Sequence, residues 1–272
     1  MREITINTEL CHKDGICAMV CPVRHIQAKV GDIPVSRKGD ATACIGCGQC
    51  MAFCPHSAIH VEGLDTEQQQ IKRADLPSPQ ATSLLLRSRR SIRMFKEQPI
   101  PKELITSLIH DASYAPTAKN MRELRYIVLY EQEKMKAFGD CLTSCYKKAV
   151  EEQPDSSFAP LYKMLAMSWR NGTDIIFRKA PHLALVVADG SGHWPAVDSA
   201  ISLTYLEIAA NANGVGACWA GFVTSTVNNF AETRAMLGLK ENEVVLGGQM
   251  LGFPKIFPRA TAPRASYEIA WI

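Results

Sequence analysis

The chain has 272 residues, 47% of them hydrophobic, enough to build a sizeable core in one large domain or two ordinary ones. Its 30 Lys and Arg stand against 27 Asp and Glu, leaving a formal net charge of +3, so composition argues for neither a nucleic-acid nor a membrane partner and any anion site must be local. No apolar run approaches the roughly 18 residues of a spanning helix, and MREITINTEL lacks the basic-then-apolar pattern of an export signal, so a cytoplasmic protein is expected.

Seven of the ten cysteines lie between Cys11 and Cys54, which in a chain without an export signal reads as metal ligation rather than disulfides. The run Cys44 to Pro55, CIGCGQCMAFCP, has the spacing by which a short loop wraps an iron–sulfur cluster. An imperfect copy precedes it: Cys11 matches Cys44, Asp14 matches Cys47, Cys17 matches Cys50, and Cys21-Pro22 matches Cys54-Pro55. In such runs the fourth cysteine of one copy ligates the cluster of the other. One cluster is therefore expected on Cys44, Cys47, Cys50 and Cys21, and the other on Cys11, Cys17 and Cys54 with Asp14 at its fourth corner.

Two readings of Asp14 stand side by side. A carboxylate is a harder and weaker ligand for cluster iron than a thiolate, which would make that corner labile. Alternatively Asp14 only caps a turn, since Asp-Gly is a strong turn pair. The segment resembles a two-cluster bacterial ferredoxin, a small pseudo-symmetric α+β domain. That resemblance implies a [4Fe-4S] cluster on the all-cysteine set and either [4Fe-4S] or [3Fe-4S] on the other, the all-cysteine one being the more robust. GDIPVSRKGDATA between the copies is turn-rich, and Ile59 and Val61 alternate with polar neighbours as in a short strand. His12, His56 and His60 read as solvated loop residues.

Residues 62–83 are polar, contain Pro77 and Pro79 and hold no sustained period, as a connector would. The block LLLRSRRSIRMF then gathers Arg87, Arg89, Arg90 and Arg93 around Ser91, a group able to bind one dianionic phosphate. A helix with the stripe Leu104, Leu108 and Ile109 is expected up to Pro116, followed by Pro116-Thr117-Ala-Lys-Asn120 and the strand-like RYIVLY. RRSIRMF, an amphipathic helix and APTAKN in this order resemble the nitroreductase family of FMN-dependent enzymes. The resemblance implies that Arg89, Arg90, Ser91 and Arg93 hold the FMN phosphate and ribityl chain, with Pro116, Thr117 and Asn120 at the flavin. Where many members read Asn-x-Gln-Pro-Trp this chain reads Asn120-Met-Arg-Glu-Leu, so Arg122 either replaces that contact or faces the substrate.

Further on, Cys141 and Cys145 share a helix face and read as packing, as do Tyr162 and Trp169. Leu183 to Ala188 reads as a buried central strand, with His182 as a polar residue at its start. Trp194 to Ala212 is a largely apolar helix whose Ile201, Tyr205, Ile208 and Ala209 are expected on one face, suited to a core or a dimer interface. GVGACWAGF follows, its small residues allowing backbone to approach a flat ligand. It resembles the family's glycine-rich stretch, which implies flavin contacts at Trp219, Ala220 and Gly221, with Cys218 a small buried residue. The closing LGGQMLGFPKIFPRATAPR resembles the family's last strand and turn, and Arg259 and Arg264 are the two candidates to return to the phosphate.

The expected fold is α+β: a ferredoxin-like two-cluster module over 1–61, a linker over 62–83, and a nitroreductase-like domain over 84–272 whose central, mainly antiparallel sheet is flanked by helices. The resemblance implies an iron–sulfur flavoprotein oxidoreductase, a homodimer with FMN at each subunit interface. It would pass electrons between the clusters and FMN to reduce a small electron-poor molecule. NAD(P)H or a protein redox partner would exchange electrons with it. The alternative is an electron-transfer adaptor, or a flavin or quinone reductase, using the same cofactors. No residue stands out as a general acid.

Overall fold

The computed structural model describes residues 2–37, 43–64 and 68–272. The turn-rich stretch between the cysteine copies falls partly on 38–42 and the polar connector partly on 65–67, outside the described residues. The chain divides into two compact units, Met1–Leu76 together with Ala118–Met121, and Pro77–Thr117 together with Arg122–Ile272.

The first unit contains β1 (Ile4–Ile6), α1 (Ile16–Met19), β2 (Ile26–Gln27), β3 (Val35–Ser36), α2 (Gln49–Ala52) and β4 (Ile59–Val61). β1 pairs antiparallel with β4, setting Ile4 opposite Val61 and Ile6 opposite Ile59, and β2 pairs antiparallel with β3. Ile59 and Val61 are buried and His60 is exposed, the alternation their sequence calls for. One-turn helices cannot stand by themselves; α1 and α2 are held because Cys17, Cys50 and Met51 enter a small core with Ile26, Ile59 and Val61. The repeat in the sequence is repeated in the backbone. Gly15 and Gly48 open α1 and α2 at φ 73° and 70°, Lys13 and Gly46 sit at φ 59° and 62°, and Arg24 and Ser57 at φ 53° and 50°.

The second unit begins with α3 (Pro79–Ser88), inside the stretch read as connector. Ser78 accepts a hydrogen bond from the Ala81 N–H at 3.1 Å and Pro79 supplies a preset first turn. None of its residues is buried, which is why no apolar period announced it. α4 (Lys102–Ala112) buries Ile105, Leu108 and Ala112, and the expected stripe is rotated so that Leu104 and Ile109 pack only partly. Then follow β5 (Arg125–Leu129), α5 (Gln132–Glu152), α6 (Ala159–Arg170), β6 (His182–Asp189), α7 (Pro195–Ala212), β7 (Gly216–Trp219), α8 (Gly221–Thr224), α9 (Ala231–Met236) and β8 (Glu243–Gly252).

The four strands form one antiparallel sheet in the order β5-β6-β8-β7. β6 explains why its sequence is apolar without alternation. Leu183, Leu185 and Val187 join a core with Phe138, Leu142, Tyr146 and Leu165 from α5 and α6, whereas Ala184 and Val186 join Leu108, Leu203 and Leu206 from α4 and α7. Both faces of the sheet are covered by helices.

α7 buries Leu203, Leu206 and Ala210, whereas the face expected to suit a core or a dimer interface lies mostly outward: Tyr205 is 42% exposed and Ile201, Ile208 and Ala209 are only partly covered. The helix is apolar around most of its circumference, so periodicity could not choose the inner face.

Candidate functional site

The first unit brings together the two donor sets read from the spacing. Cys11, Asp14, Cys17 and Cys54 line one pocket of about 330 Å³, open to solvent. Burial pushes the Cys17 thiol up, and the negative neighbours Asp14, Cys11 and Cys54 push in the same direction against an opposing hydrogen bond from the Ala18 backbone. Cys50 is pushed up to about 11 by burial, with Cys44, Cys47 and Cys21 adding to the rise and the Met51 backbone opposing it. Thiols raised in this way by burial and by one another need a cation to stay deprotonated, which is what cluster iron supplies, so the residue types suit the group, although among the described residues no three of them converge on a single metal ion.

Backbone amides already point at sulfur: the His25, Ala58 and Gly46 N–H groups donate to the Sγ atoms of Cys21, Cys54 and Cys44 at 3.2, 3.3 and 3.4 Å. Such donors stabilise thiolate and tune cluster potential. The Cys21 and Cys54 contacts are equivalent in the two copies, and each follows a residue forced to positive φ, Arg24 or Ser57. Asp14 takes part in the turn, Oδ1 accepting from the Ile16 N–H at 3.0 Å, while its carboxylate also faces the pocket. His12 is exposed and His56 half-buried, and their rings stack at 3.6 Å beside that pocket. His25, which the sequence did not single out, is buried and carries the amide for Cys21.

In the second unit a pocket of about 320 Å³ is lined by Arg89 and Arg90, the Gly214–Ala217 backbone, Pro254 and Pro258. The block around Ser91 is fixed against β7: Ser91 bridges to Ala217, and the Ile92 N–H donates to the Ala217 carbonyl at 2.9 Å. Gly216 is required here by packing rather than by a ligand, since a Cβ would come within 2.9 Å of Ile92. Gly221 differs: nothing lies within 4 Å of the position its Cβ would take, so space stands open over the backbone beside Trp219, which is 40% exposed, and buried Ala220.

Arg89 is engaged, Nη1 lying 2.5 Å from Oε1 of Glu207 on α7, a carboxylate whose side chain is only 6% exposed. Glu207 was missed by sequence reading; the available signal was one acid in the middle of an apolar helix. Gln249 Nε2 lies 3.5 Å from its other oxygen. Arg93 is exposed and reaches the Ser91 carbonyl at 3.5 Å. Arg259 and Arg264 are exposed, and among the described residues neither they nor Arg90 form an ion pair. Pro258 in the pocket wall puts the backbone of Arg259 next to it.

The APTAKN segment does not line this pocket. Pro116 is exposed, and Thr117 Oγ1 accepts from the Arg122 N–H at 3.2 Å. Lys119, Asn120 and Arg122 all have positive φ, at 52°, 54° and 51°, a concentration of strained backbone of the kind kept at functional segments. Ala118–Met121 groups with the first unit, where Asn120 Nδ2 donates to the carbonyls of Ile45 and Gly46 at 3.1 and 3.0 Å. Spacing gave no hint of this contact.

The remaining cysteines are packing residues. Burial pushes the Cys218 thiol up, Cys145 is pushed up to about 12 by burial and then by neighbouring Cys141, and Tyr162 is buried. Trp169 donates to Asp140 and packs over Gly139. His182 is buried and uses both ring nitrogens, Nε2 accepting from the Ile100 N–H and Nδ1 facing the Tyr130 carbonyl, each at 2.9 Å.

Residues 86–253 match the family model described as Nitroreductase family, and residues 10–59 match that of a 4Fe-4S dicluster domain. A protein of Archaeoglobus fulgidus, named provisionally as an NADH dehydrogenase/NAD(P)H nitroreductase, is 28% identical over 171 residues, 63% of this chain and 84% of that protein. A protein of Escherichia coli, named provisionally as electron transport protein YsaA, is 41% identical over 64 residues, 23% of this chain and 38% of that protein. Among solved structures, a nitroreductase with bound FMN from Bacteroides fragilis superimposes with a TM-score of 0.57 at 21% identity, covering 69% of this chain and 97% of that one. Among the described residues no helix is long and apolar enough to cross a membrane.

Proposed function

Given that this chain belongs to the nitroreductase family of oxidoreductases and carries a 4Fe-4S dicluster domain, we propose that it is an iron–sulfur flavoprotein that exchanges electrons with a donor through its clusters and reduces a small electron-poor molecule at FMN. The observation that carries this reading is the convergence, in one chain, of two four-donor sets and an arginine pocket on a nitroreductase fold. When bound, the clusters supply single electrons and FMN supplies a carrier that takes up one or two.

The chain's own residues do the rest. Cys11, Cys17, Cys54 and Asp14 would hold one cluster, and Cys21, Cys44, Cys47 and Cys50 the other. Asp14 is assigned as a ligand through the oxygen its turn leaves over, Oδ1 being taken by the Ile16 N–H. Arg90, with no ion pair among the described residues, and Arg259, next to the pocket wall, carry the charge for the FMN phosphate. Arg89, Ser91 and Arg93 complete that end; Glu207 fixes the Arg89 fork and offsets part of its charge. Open space over Gly221, with Ala220 and Trp219 beside it, would receive the flavin ring, where backbone N–H groups favour its reduced form. Pro116, Thr117 and Asn120 remain assigned to the flavin, and the positive φ of Asn120, shared with Lys119 and Arg122, supports a role for this segment beyond packing. The part-exposed face of α7 around Tyr205 supports a homodimer.

The test is anaerobic purification with iron, sulfide and FMN quantified, followed by turnover with NADH or NADPH and a panel of nitroaromatic, quinone and free-flavin acceptors. Bound FMN, two clusters and nitro reduction are expected. Protein that neither contains nor takes up FMN refutes the reading. The YsaA likeness favours one further reading, an electron-transfer adaptor, for which clusters cycle with a protein partner and no small molecule is turned over.

A further inference from the structure

The two cysteine copies differ at one backbone position that the ligand count leaves unexplained. Lys13 and Gly46 are equivalent in the repeat and share one left-handed conformation, φ 59° and 62°. Lys13 adopts it with a full side chain, whereas at position 46 the space a side chain would take is occupied by Arg2. A Cβ on Gly46 would lie 2.6 Å from Arg2 Nε and 2.8 Å from its Cζ, and a Cβ on Gly63 would lie 2.8 Å from Arg2 Nη1. Two glycines thus form a slot for one guanidinium, whose Nη1 also donates to the Glu62 carbonyl at 3.0 Å. Glu62 itself directs Oε2 to the Glu3 N–H at 3.0 Å rather than to the guanidinium.

The slot lies on the loop between Cys44 and Cys47, and Gly46 N–H is the group that donates to the Cys44 sulfur. A positive charge lying against Gly46, even on the exposed Arg2 side chain, stabilises the more negative, reduced form of a cluster held by the neighbouring Cys44 and Cys47. We propose that Arg2 is a positioning residue that raises the reduction potential of the cluster on Cys21, Cys44, Cys47 and Cys50, setting it apart from the Asp14-containing site. The inference rests on the cluster assignment above. It makes the all-thiolate cluster easier to reduce than its ligands alone would dictate.

The experiment is an anaerobic redox titration of the full-length protein followed by EPR, with wild type, Arg2→Gln and Arg2→Lys compared after iron and sulfide have been quantified. Arg2→Gln should lower the midpoint of one cluster transition by about 59 mV, a tenfold change in its one-electron equilibrium, and leave the other nearly unmoved. Arg2→Lys should restore most of the difference, and about 1 M salt should shrink it, because the Debye length falls to about 3 Å. Unchanged midpoints in fully loaded Arg2→Gln, or equal shifts in Arg2→Gln and Arg2→Lys, overturn the inference alone. Wild-type protein without iron and sulfide overturns the cluster assignment and the inference with it.

Discussion

Removing Arg89 should damage the flavin unit more than neutralising the partner that holds it, for a reason that can be worked from exposure. The Arg89 side chain is 27% exposed and that of Glu207 only 6%. In Arg89→Ala the buried carboxylate keeps one long contact, 3.5 Å to Gln249 Nε2. Stranding one member of a buried pair costs about 3 kcal/mol. In Glu207→Gln the guanidinium keeps an amide oxygen and can turn its remaining N–H groups to water, so the loss is closer to about 1 kcal/mol. At about 2–4 °C per kcal/mol for a unit of this size, Arg89→Ala should lower the melting temperature by roughly 6–12 °C and Glu207→Gln by roughly 2–4 °C. The double variant Arg89→Ala/Glu207→Gln should recover much of the first loss, since no charge is then stranded. The assay is thermal unfolding of FMN-free protein, which keeps phosphate binding out of the comparison. Equal shifts for the two single variants, or no recovery in the double variant, would refute the argument.

Burial lowers the pKa of His182, so the fold prefers the neutral ring whose Nε2 accepts from the Ile100 N–H. The unfolded chain then binds the extra proton, and stability held above a pH of about 6.5 is lost as the pH falls toward the folded value. His182→Asn should flatten the dependence of melting temperature on pH between about 7.5 and 5.5; an unchanged slope contradicts the assignment. Cross-ligation is tested by Cys21→Ala, which should abolish the EPR signal of the cluster on Cys44, Cys47 and Cys50 and spare its neighbour, and by Cys54→Ala, which should do the reverse. Each variant losing the cluster of its own copy would show that the fourth thiols do not cross.

Much of this protein is written in local patterns. Metal-ligand spacing is set by the reach of a few residues, so the repeat was enough to group Cys11, Asp14, Cys17 and Cys54, which do line one pocket. The buried run of β6 and the strand of Ile59 and Val61 were legible for the same reason, because burial on one face or two leaves a period in the residues themselves. Where burial leaves no period, the sequence was silent or misleading. α3 buries nothing, and α7 is apolar on nearly every side, so the start of one and the inner face of the other had to come from the fold.

Contacts between distant segments were beyond reach altogether. The Arg89–Glu207 pair, the Asn120 amide on the carbonyls of Ile45 and Gly46, and the Arg2 slot over Gly46 and Gly63 join residues that no spacing relates. The sequence by itself set out the two groups of candidate donors, since those depend on residue type and short-range spacing. Only the tertiary structure decided which charges are already paired and which glycines a distant side chain packs against, because those depend on what the folded chain brings within a few ångströms.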